Sequence, residues 1–542
     1  MQRTVSSRRR PLVSVILGLA SAALLASTAG AVPLQSNTIT VFAFGSGSSL
    51  DLSGVAAVNG IDTRGDLLLA SDGNLYVATS AGGAGSVGAV LRISPSTGTS
   101  TLMHALVGGT TEGISPYAGL IQAADGNLYG TTFLGGTASA GTVYKLGLDG
   151  TFATLYNFNS QSGGAYEPYT AVVQAPDGAL YGTTLRGGTA NLGTVYKLTL
   201  AGTLTILHSF TGSDGSNPEG ALVVGADGAL YGTTLVGGAN DRGVIYKVTT
   251  SGTYTTVYTF PALGTINAAG VGTNVDGANP RAGLILGQDG NFYGTAYQGG
   301  ASGYGTIYRI TPAGVLTVLH NFGGAPTDGA YPLDKVTQDT DGTLYGTTEL
   351  GGYSAAGVAW RITPSGTYSL LHSFTNSPVD GGTPYTTLLP LGGYLYGVSF
   401  TDLLSNAGAV YKLDLGTAGV LPVTIGLSAE TIAIGSTTTL TWSSPTAAGC
   451  LASGAWSDTI GTSGTSVLTP TAAGIYQYIL TCTDGAGVVR NAYAELVVTA
   501  PVSKSVDGGS TGGGGALSWL ALGLLGGAAG ATARRRYKST SV

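Results

Sequence analysis

The sequence predicts an all-β protein, a seven-bladed β-propeller followed by a β-sandwich. Three observations carry this reading. A Leu-Tyr-Gly motif, followed about fifteen residues later by Val-Tyr-Lys, recurs seven times in close variants, centred on Tyr76, Tyr129, Tyr181, Tyr231, Tyr293, Tyr345 and Tyr396. The spacings of 53, 52, 50, 62, 52 and 51 residues are too long for one hairpin and suit one four-stranded sheet. Glycine supplies 91 of the 542 residues and charged side chains only 9%, against about 25% in ordinary soluble domains, as short strands joined by tight turns require.

One repeat shows the four strands. Ala221 to Val224 forms the first, and Ala226-Asp227-Gly228 a turn in which Gly takes the positive φ that other residues resist. Leu230 to Thr234 is the second, Gly237-Gly238 opens a loop, Gly243 to Val248 is the third and Tyr254 to Phe260 the fourth. The last repeat reaches Val410-Tyr411-Lys412-Leu413 and then enters Gly416-Thr417-Ala418-Gly419 with no fourth strand. A matching segment, Ile39 to Phe44, stands before the first repeat, so an N-terminal strand is expected to complete the last blade and leave no open seam. Blades packed face to face bury both sheet faces, so the tyrosines are read as filling between blades, with their hydroxyls finding polar partners.

Both termini carry address signals. Arg3 and Arg8 to Arg10, the apolar stretch Leu12 to Ala26 and Ala29-Gly30-Ala31 read as a secretory signal over residues 1–31, cleaved after Ala31. The alternative is an uncleaved anchor. The propeller is expected over 39–420 and the sandwich over 421–500. A Gly-rich linker follows over 501–516, then the apolar stretch Leu517 to Ala533 and Arg534 to Arg536, closing the chain over 517–542. This order is similar to bacterial GlyGly-CTERM sorting signals and implies an exported protein held at the cell surface or outer envelope, or released, with a membrane anchor that a rhomboid-type protease removes. A permanent transmembrane tail is the alternative, the Arg cluster holding its end in the cytoplasm. The net charge of -6 gives no basic footprint for nucleic acid.

The string Asp125-Gly126-Asn127-Leu128-Tyr129-Gly130-Thr131-Thr132, then Gly135-Gly136 and Gly141-Thr142-Val143-Tyr144-Lys145-Leu146, with its copies over roughly 39–415, resembles the GloVer tandem repeat of bacterial surface and secreted proteins with variable C-terminal anchors. The first copy departs with Tyr76-Val77-Ala78, and the last has Gly392-Gly393 in place of the Asp-Gly turn. The resemblance implies location rather than a reaction.

Within each repeat the Asp-Gly turns at Asp125, Asp177, Asp227 and Asp289 read as scaffold. On the opposite rim, Asp-Gly-x-x-Pro loops carry Asp214, Asp276, Asp328 and Asp380. A ring of such carboxylates would suit sugars or a calcium ion; the plainer reading is a recurring turn shaped by Asp, Gly and Pro. The only histidines, His104, His208, His320 and His372, share one place in the fourth strand, which is a packing position rather than a general base at an axis. Carboxylates outside the repeated turns are Glu167, Glu219, Asp241 and Glu349. A pair drawn from Glu219, Asp241 and Glu349 could serve a glycosidase, although no catalytic residue is assigned.

From Val423 the period changes. Thr438 to Trp442, Ile475 to Cys482 and Ala494 to Thr499 read as sandwich strands, and the segment resembles the bacterial Ig-like modules placed beside anchors. Cys450 and Cys482 are the only cysteines; they pair in an exported protein, or stay as two buried thiols. Two functions stand against each other. The first is a non-enzymatic binding protein for glycans or cell-surface proteins, a propeller head on an Ig-like spacer. The second is a secreted polysaccharide hydrolase or lyase with a site on the long-loop rim.

Overall fold

The computed structural model describes residues 39–43 and 65–499, apart from 84, 162, 268–269, 376–381, 402–408, 416–423, 430, 445–446, 457 and 484–488. The signal with Ala31, the linker, the apolar tail and Asp380 lie outside the described residues. No helix occurs among the described residues.

Residues 65–414 form seven antiparallel sheets in series, numbered here I to VII. Sheet III is typical: Val173–Gln174, Leu180–Thr184, Thr194–Leu198 and Leu204–Ser209, each strand paired with the next. The first strands are shorter than expected, two residues in sheets I to VI. In sheet VII the strand Ile39–Ala43 pairs antiparallel with Ala409–Asp414, with Ile39 opposite Leu413 and Ala43 opposite Ala409, as the missing fourth strand required.

Neighbouring sheets share cores because each central strand buries both faces. Leu128 packs with Tyr76 and Val90 of sheet I, while the next residue, Tyr129, packs with Leu180 and Tyr196 of sheet III. Five further cores repeat the arrangement. One of them joins Tyr345 and Phe374 of sheet VI to Leu395 and Tyr411 of sheet VII; another joins Val398 and Val410 of sheet VII to Leu75 and Val77 of sheet I. The phenylalanine after the fourth strand in sheets II to VI reaches the next sheet's third-strand aromatic: Phe158 meets Tyr196 at 5.3 Å, Phe210 meets Tyr246 at 5.2 Å and Phe374 meets Tyr411 at 5.2 Å.

The Asp-Gly-x-x-Pro loops also join sheets. The glycine before the third strand in sheets I to VI takes a positive φ and lies against the following proline: a Cβ on Gly193 would meet Pro218 Cδ at 2.6 Å, and one on Gly243 would meet Pro280 Cδ at 2.8 Å. The residue before each proline, Glu167, Asn217, Asn279, Tyr331 or Thr383, is itself left-handed, so these loops have one recurring shape.

One expectation needs correcting. The Leu-Tyr-Gly hydroxyls of Tyr76, Tyr129, Tyr181, Tyr231 and Tyr293 each donate to the Asp of the preceding turn, but the Val-Tyr-Lys hydroxyls of Tyr144, Tyr196, Tyr246 and Tyr308 are buried with no hydrogen-bond partner. Their rings stand over the facing glycines, where a Cβ on Gly130 or Gly182 would lie 2.4 Å from the tyrosine hydroxyl.

Beyond residue 423 a three-stranded and a five-stranded sheet enclose one core containing Leu440, Trp442, Tyr478 and Leu480. Cys450 and Cys482 are disulfide-bonded. They face each other on adjacent strands, Gly449–Gly454 and Gly474–Thr483, so the bridge lies within one sheet rather than between two.

Candidate functional site

The two most conspicuous acidic series are taken up by scaffolding. In the tight turns, Asp125 accepts from Tyr129 Oη at 2.8 Å and from Lys145 Nζ at 3.0 Å, and Asp177 accepts from Tyr181 at 2.6 Å and Lys197 at 2.7 Å. Burial works against the Asp125 charge, but the bonds from Lys145, Tyr129 and Asn127 outweigh it and hold the group down to about 2. The two halves of the repeat thus meet at one carboxylate.

The opposite rim uses its acids in the same inward way. Asp214 accepts from Thr211 N at 2.8 Å and pairs with His208 Nε2 at 2.9 Å; Asp328 pairs with His320 Nε2 at 2.9 Å and accepts from Gly323 N at 2.8 Å; Asp276 accepts from Tyr258 Oη at 2.5 Å. Glu112 takes the equivalent place beside His104 at 3.1 Å. Each imidazole also stacks on an aromatic of the next sheet, His104 on Phe152 at 4.0 Å, His208 on Tyr254 at 4.0 Å and His320 on Tyr368 at 3.7 Å. These are loop clamps, and His104, His208 and His320 are packing residues. Among the described residues no three His, Cys, Asp or Glu side chains come together to hold a metal ion.

The three irregular carboxylates take different partners. Asp241 is exposed, has φ 53° and accepts from Gly237 N at 2.9 Å. Asn191 makes the same bond to Gly187 N at 2.9 Å in sheet III, so Asp241 serves as a turn residue. Glu349 accepts from Tyr297 Oη at 3.0 Å, and Glu167 faces Arg186 at 3.9 Å. Glu219 alone of the three enters a cavity.

That cavity, about 100 Å³, is lined by residues from all seven sheets. The residue after the proline of the Asp-Gly-x-x-Pro loop, or its equivalent, supplies one tier, Tyr117, Tyr169, Glu219, Arg281, Leu333 and Tyr385. A second tier is small in sheets II to V, with Gly119, Ala171, Ala221 and Gly283, but carries Asp66, Asp334 and Lys335 from sheets I and VI. Short first strands explain this: the chain turns inward after the proline before it pairs.

Its charges are matched internally. Arg281 Nε donates to Glu219 Oε2 at 2.9 Å. Lys335 Nζ donates to Asp66 Oδ2, and Thr387 N to Asp66 Oδ1 at 3.0 Å. Burial raises the Asp66 pKa, but Lys335, Asp334 and Thr387 together hold it down to about 2. Burial and the adjacent Asp66 push Asp334 well above the carboxylate range, so the pair shares a proton. Burial also raises Glu219, against the opposing pull of Arg281. Sequence reasoning found Glu219 and missed Arg281, Asp66, Asp334 and Lys335. The available signal was the position after proline, where Tyr, Glu, Arg and Leu alternate within otherwise uniform repeats.

No curated protein matches the sequence. Among solved structures, the extracellular domain of BT4673 from B. thetaiotaomicron, described as a one component system, overlaps at a TM-score of 0.45 with 12% identity, over 87% of this chain and 59% of that one. The chain therefore spans about three-fifths of that domain's length. TolB from Acinetobacter baumannii overlaps at 0.32 with 13% identity, over 52% of this chain and 58% of that one, and a puromycin-hydrolyzing peptidase from Mycobacterium tuberculosis at 0.43 with 12%, over 76% and 61%. The pattern of the Gloeobacter/Verrucomicrobia repeat, by contrast, matches residues 62–273 and 261–454, more than half of the chain. With the recurring Asp-Tyr-Lys scaffold and the shared inter-sheet cores, this match places the chain in the Gloeobacter/Verrucomicrobia repeat family.

Proposed function

We propose that the protein is an exported, non-enzymatic binding protein whose seven sheets are the blades of a closed propeller, carried on an Ig-like spacer with a C-terminal sorting or anchor segment. The observation that carries this reading is the cavity to which every sheet contributes, polar yet neutralised by its own ion pairs. A pairwise succession of shared cores that returns from sheet VII to sheet I supports closure. The two-sheet core around Trp442 supports the spacer, although its disulfide within one sheet departs from the inter-sheet bridge of antibody domains. Export rests on the N-terminal signal and the disulfide. Partners on this reading are glycans or surface proteins that approach the loop rim.

Glycan-array binding by the full-length protein, together with a polysaccharide degradation screen, tests the proposal. Saturable binding without turnover is the expected result. Reproducible turnover lost in Glu219→Gln or Glu349→Gln would establish the hydrolase or lyase instead.

A further inference from the structure

The cavity residues use only part of their bonding capacity on one another. Arg281 commits Nε to Glu219 and a further N–H to Tyr169, two of the five N–H groups of its guanidinium. Glu219 accepts on Oε2 and keeps Oε1; Lys335 commits one of three N–H groups to Asp66. Donors and acceptors therefore face the same small space from opposite sheets.

Formal charge there balances at two and two. Glu219 offsets Arg281 and Asp66 offsets Lys335 in two ion pairs, and burial with the adjacent Asp66 favours the neutral form of Asp334. A ligand with its own net charge would meet no unpaired counter-charge among these half-buried ion pairs. A hydroxyl group both donates and accepts, so it can use the spare N–H and oxygen positions without disturbing either pair. Apolar rings complete the lining. Tyr117 and Tyr169 lie 5.8 Å apart at their ring centres, both packed on Phe133, and give a platform for C–H faces.

We propose that this cavity binds one neutral sugar residue, with Arg281, Lys335 and Glu219 bonding its hydroxyls and Tyr117 or Tyr169 covering an apolar face. The inference rests on the binding-protein reading and names its ligand class. The volume of about 100 Å³ admits the hydroxyl-bearing edge of one terminal ring rather than an internal stretch of polymer.

The test is calorimetric titration of the full-length protein with methyl glucoside, methyl galactoside and methyl mannoside, against glucuronate, glucosamine and glycine. At least one neutral glycoside should bind, and each charged or zwitterionic probe should bind at least tenfold more weakly, a difference of about 1.4 kcal/mol. Glu219→Gln should weaken binding about tenfold. Leu333→Tyr, which places in sheet VI the residue found at the equivalent position of three other sheets, should fill the cavity and abolish binding with unchanged melting. Tighter binding of a charged probe, or no binding of any neutral glycoside up to tens of millimolar, overturns the inference. Binding retained in both variants also overturns it, yet leaves the binding-protein reading standing. Release of methanol and free hexose that Glu219→Gln abolishes supports the site and overturns the non-enzymatic reading.

Discussion

Tyr144 and Gly130 face each other across the central strands of sheet II, and a Cβ placed on Gly130 would stand 2.4 Å from the tyrosine hydroxyl. The same relation holds between Tyr196 and Gly182, Tyr246 and Gly232, and Tyr411 and Gly397, so the glycine of Leu-Tyr-Gly is demanded by the tyrosine of Val-Tyr-Lys. Sheet I breaks both halves at once: Val77 stands where the glycine would be, and its partner is Leu91. The pair trades ring volume against a side chain. Gly130→Val should therefore destabilise the protein by about 3 kcal/mol through overpacking. Adding Tyr144→Leu should recover most of that loss, because the double variant reproduces sheet I. Chemical denaturation of the single and double variants measures the coupling; additive losses would refute the pairing.

The two tyrosine series should respond oppositely to loss of the hydroxyl. Tyr181 donates to Asp177 at 2.6 Å, so Tyr181→Phe should cost about 1 kcal/mol. The Tyr196 hydroxyl is buried without a partner, so Tyr196→Phe removes an unsatisfied polar group and should be neutral or stabilising by up to about 1 kcal/mol. Equal losses in thermal melts of the two variants would show that Tyr196 has a bonding role.

How much of this was legible depends on how locally each feature is encoded. The strand phasing was readable because Asp-Gly turns and two-residue alternation act over a few residues, and the unpaired ends of the array left only one segment, Ile39 to Ala43, to match Ala409 to Asp414. Loop clamps were half readable: His208 and Asp214 lie six residues apart, but their bond becomes evident only once the fourth strand and the next loop fold back together. The cavity was the least readable. Lys335 and Asp66 are 269 residues apart and meet only because sheets I and VI face one space, which no spacing rule within a repeat discloses.

The carboxyl pair predicts opposite pH dependences. Asp66 is held down to about 2 by Lys335, Asp334 and Thr387 against burial, so its stabilisation is present above the unfolded value of 3.8 and is lost as pH falls through 2. Asp334 is raised by burial and by Asp66, so its contribution is complete below 3.8 and is lost as pH rises through its folded value. Asp66→Asn should destabilise at pH 7 and converge with the parent protein near pH 2. Asp334→Asn should match the parent near pH 4 and gain on it toward pH 8. Melting temperatures across this range decide the matter; parallel pH profiles for both variants would contradict the shared proton.

The seam between sheets VII and I gives the proposed closure its sharpest test. Ile39–Ala43 supplies the outer strand of sheet VII, and without it Ala409–Asp414 becomes an open edge able to pair with other chains. The lost ladder removes backbone hydrogen bonds worth about 1 kcal/mol each, while the core of Val398 and Val410 against Leu75 and Val77 loses its lateral support. Deleting Ile39–Ala43 should lower Tm by several degrees, broaden the transition and promote association at high concentration. A peptide of that five-residue sequence within a longer strand, added in excess, should restore part of the loss by pairing with the exposed edge. An unchanged, cooperative melt of the monomeric deletion variant would mean that the ring does not depend on this strand for closure.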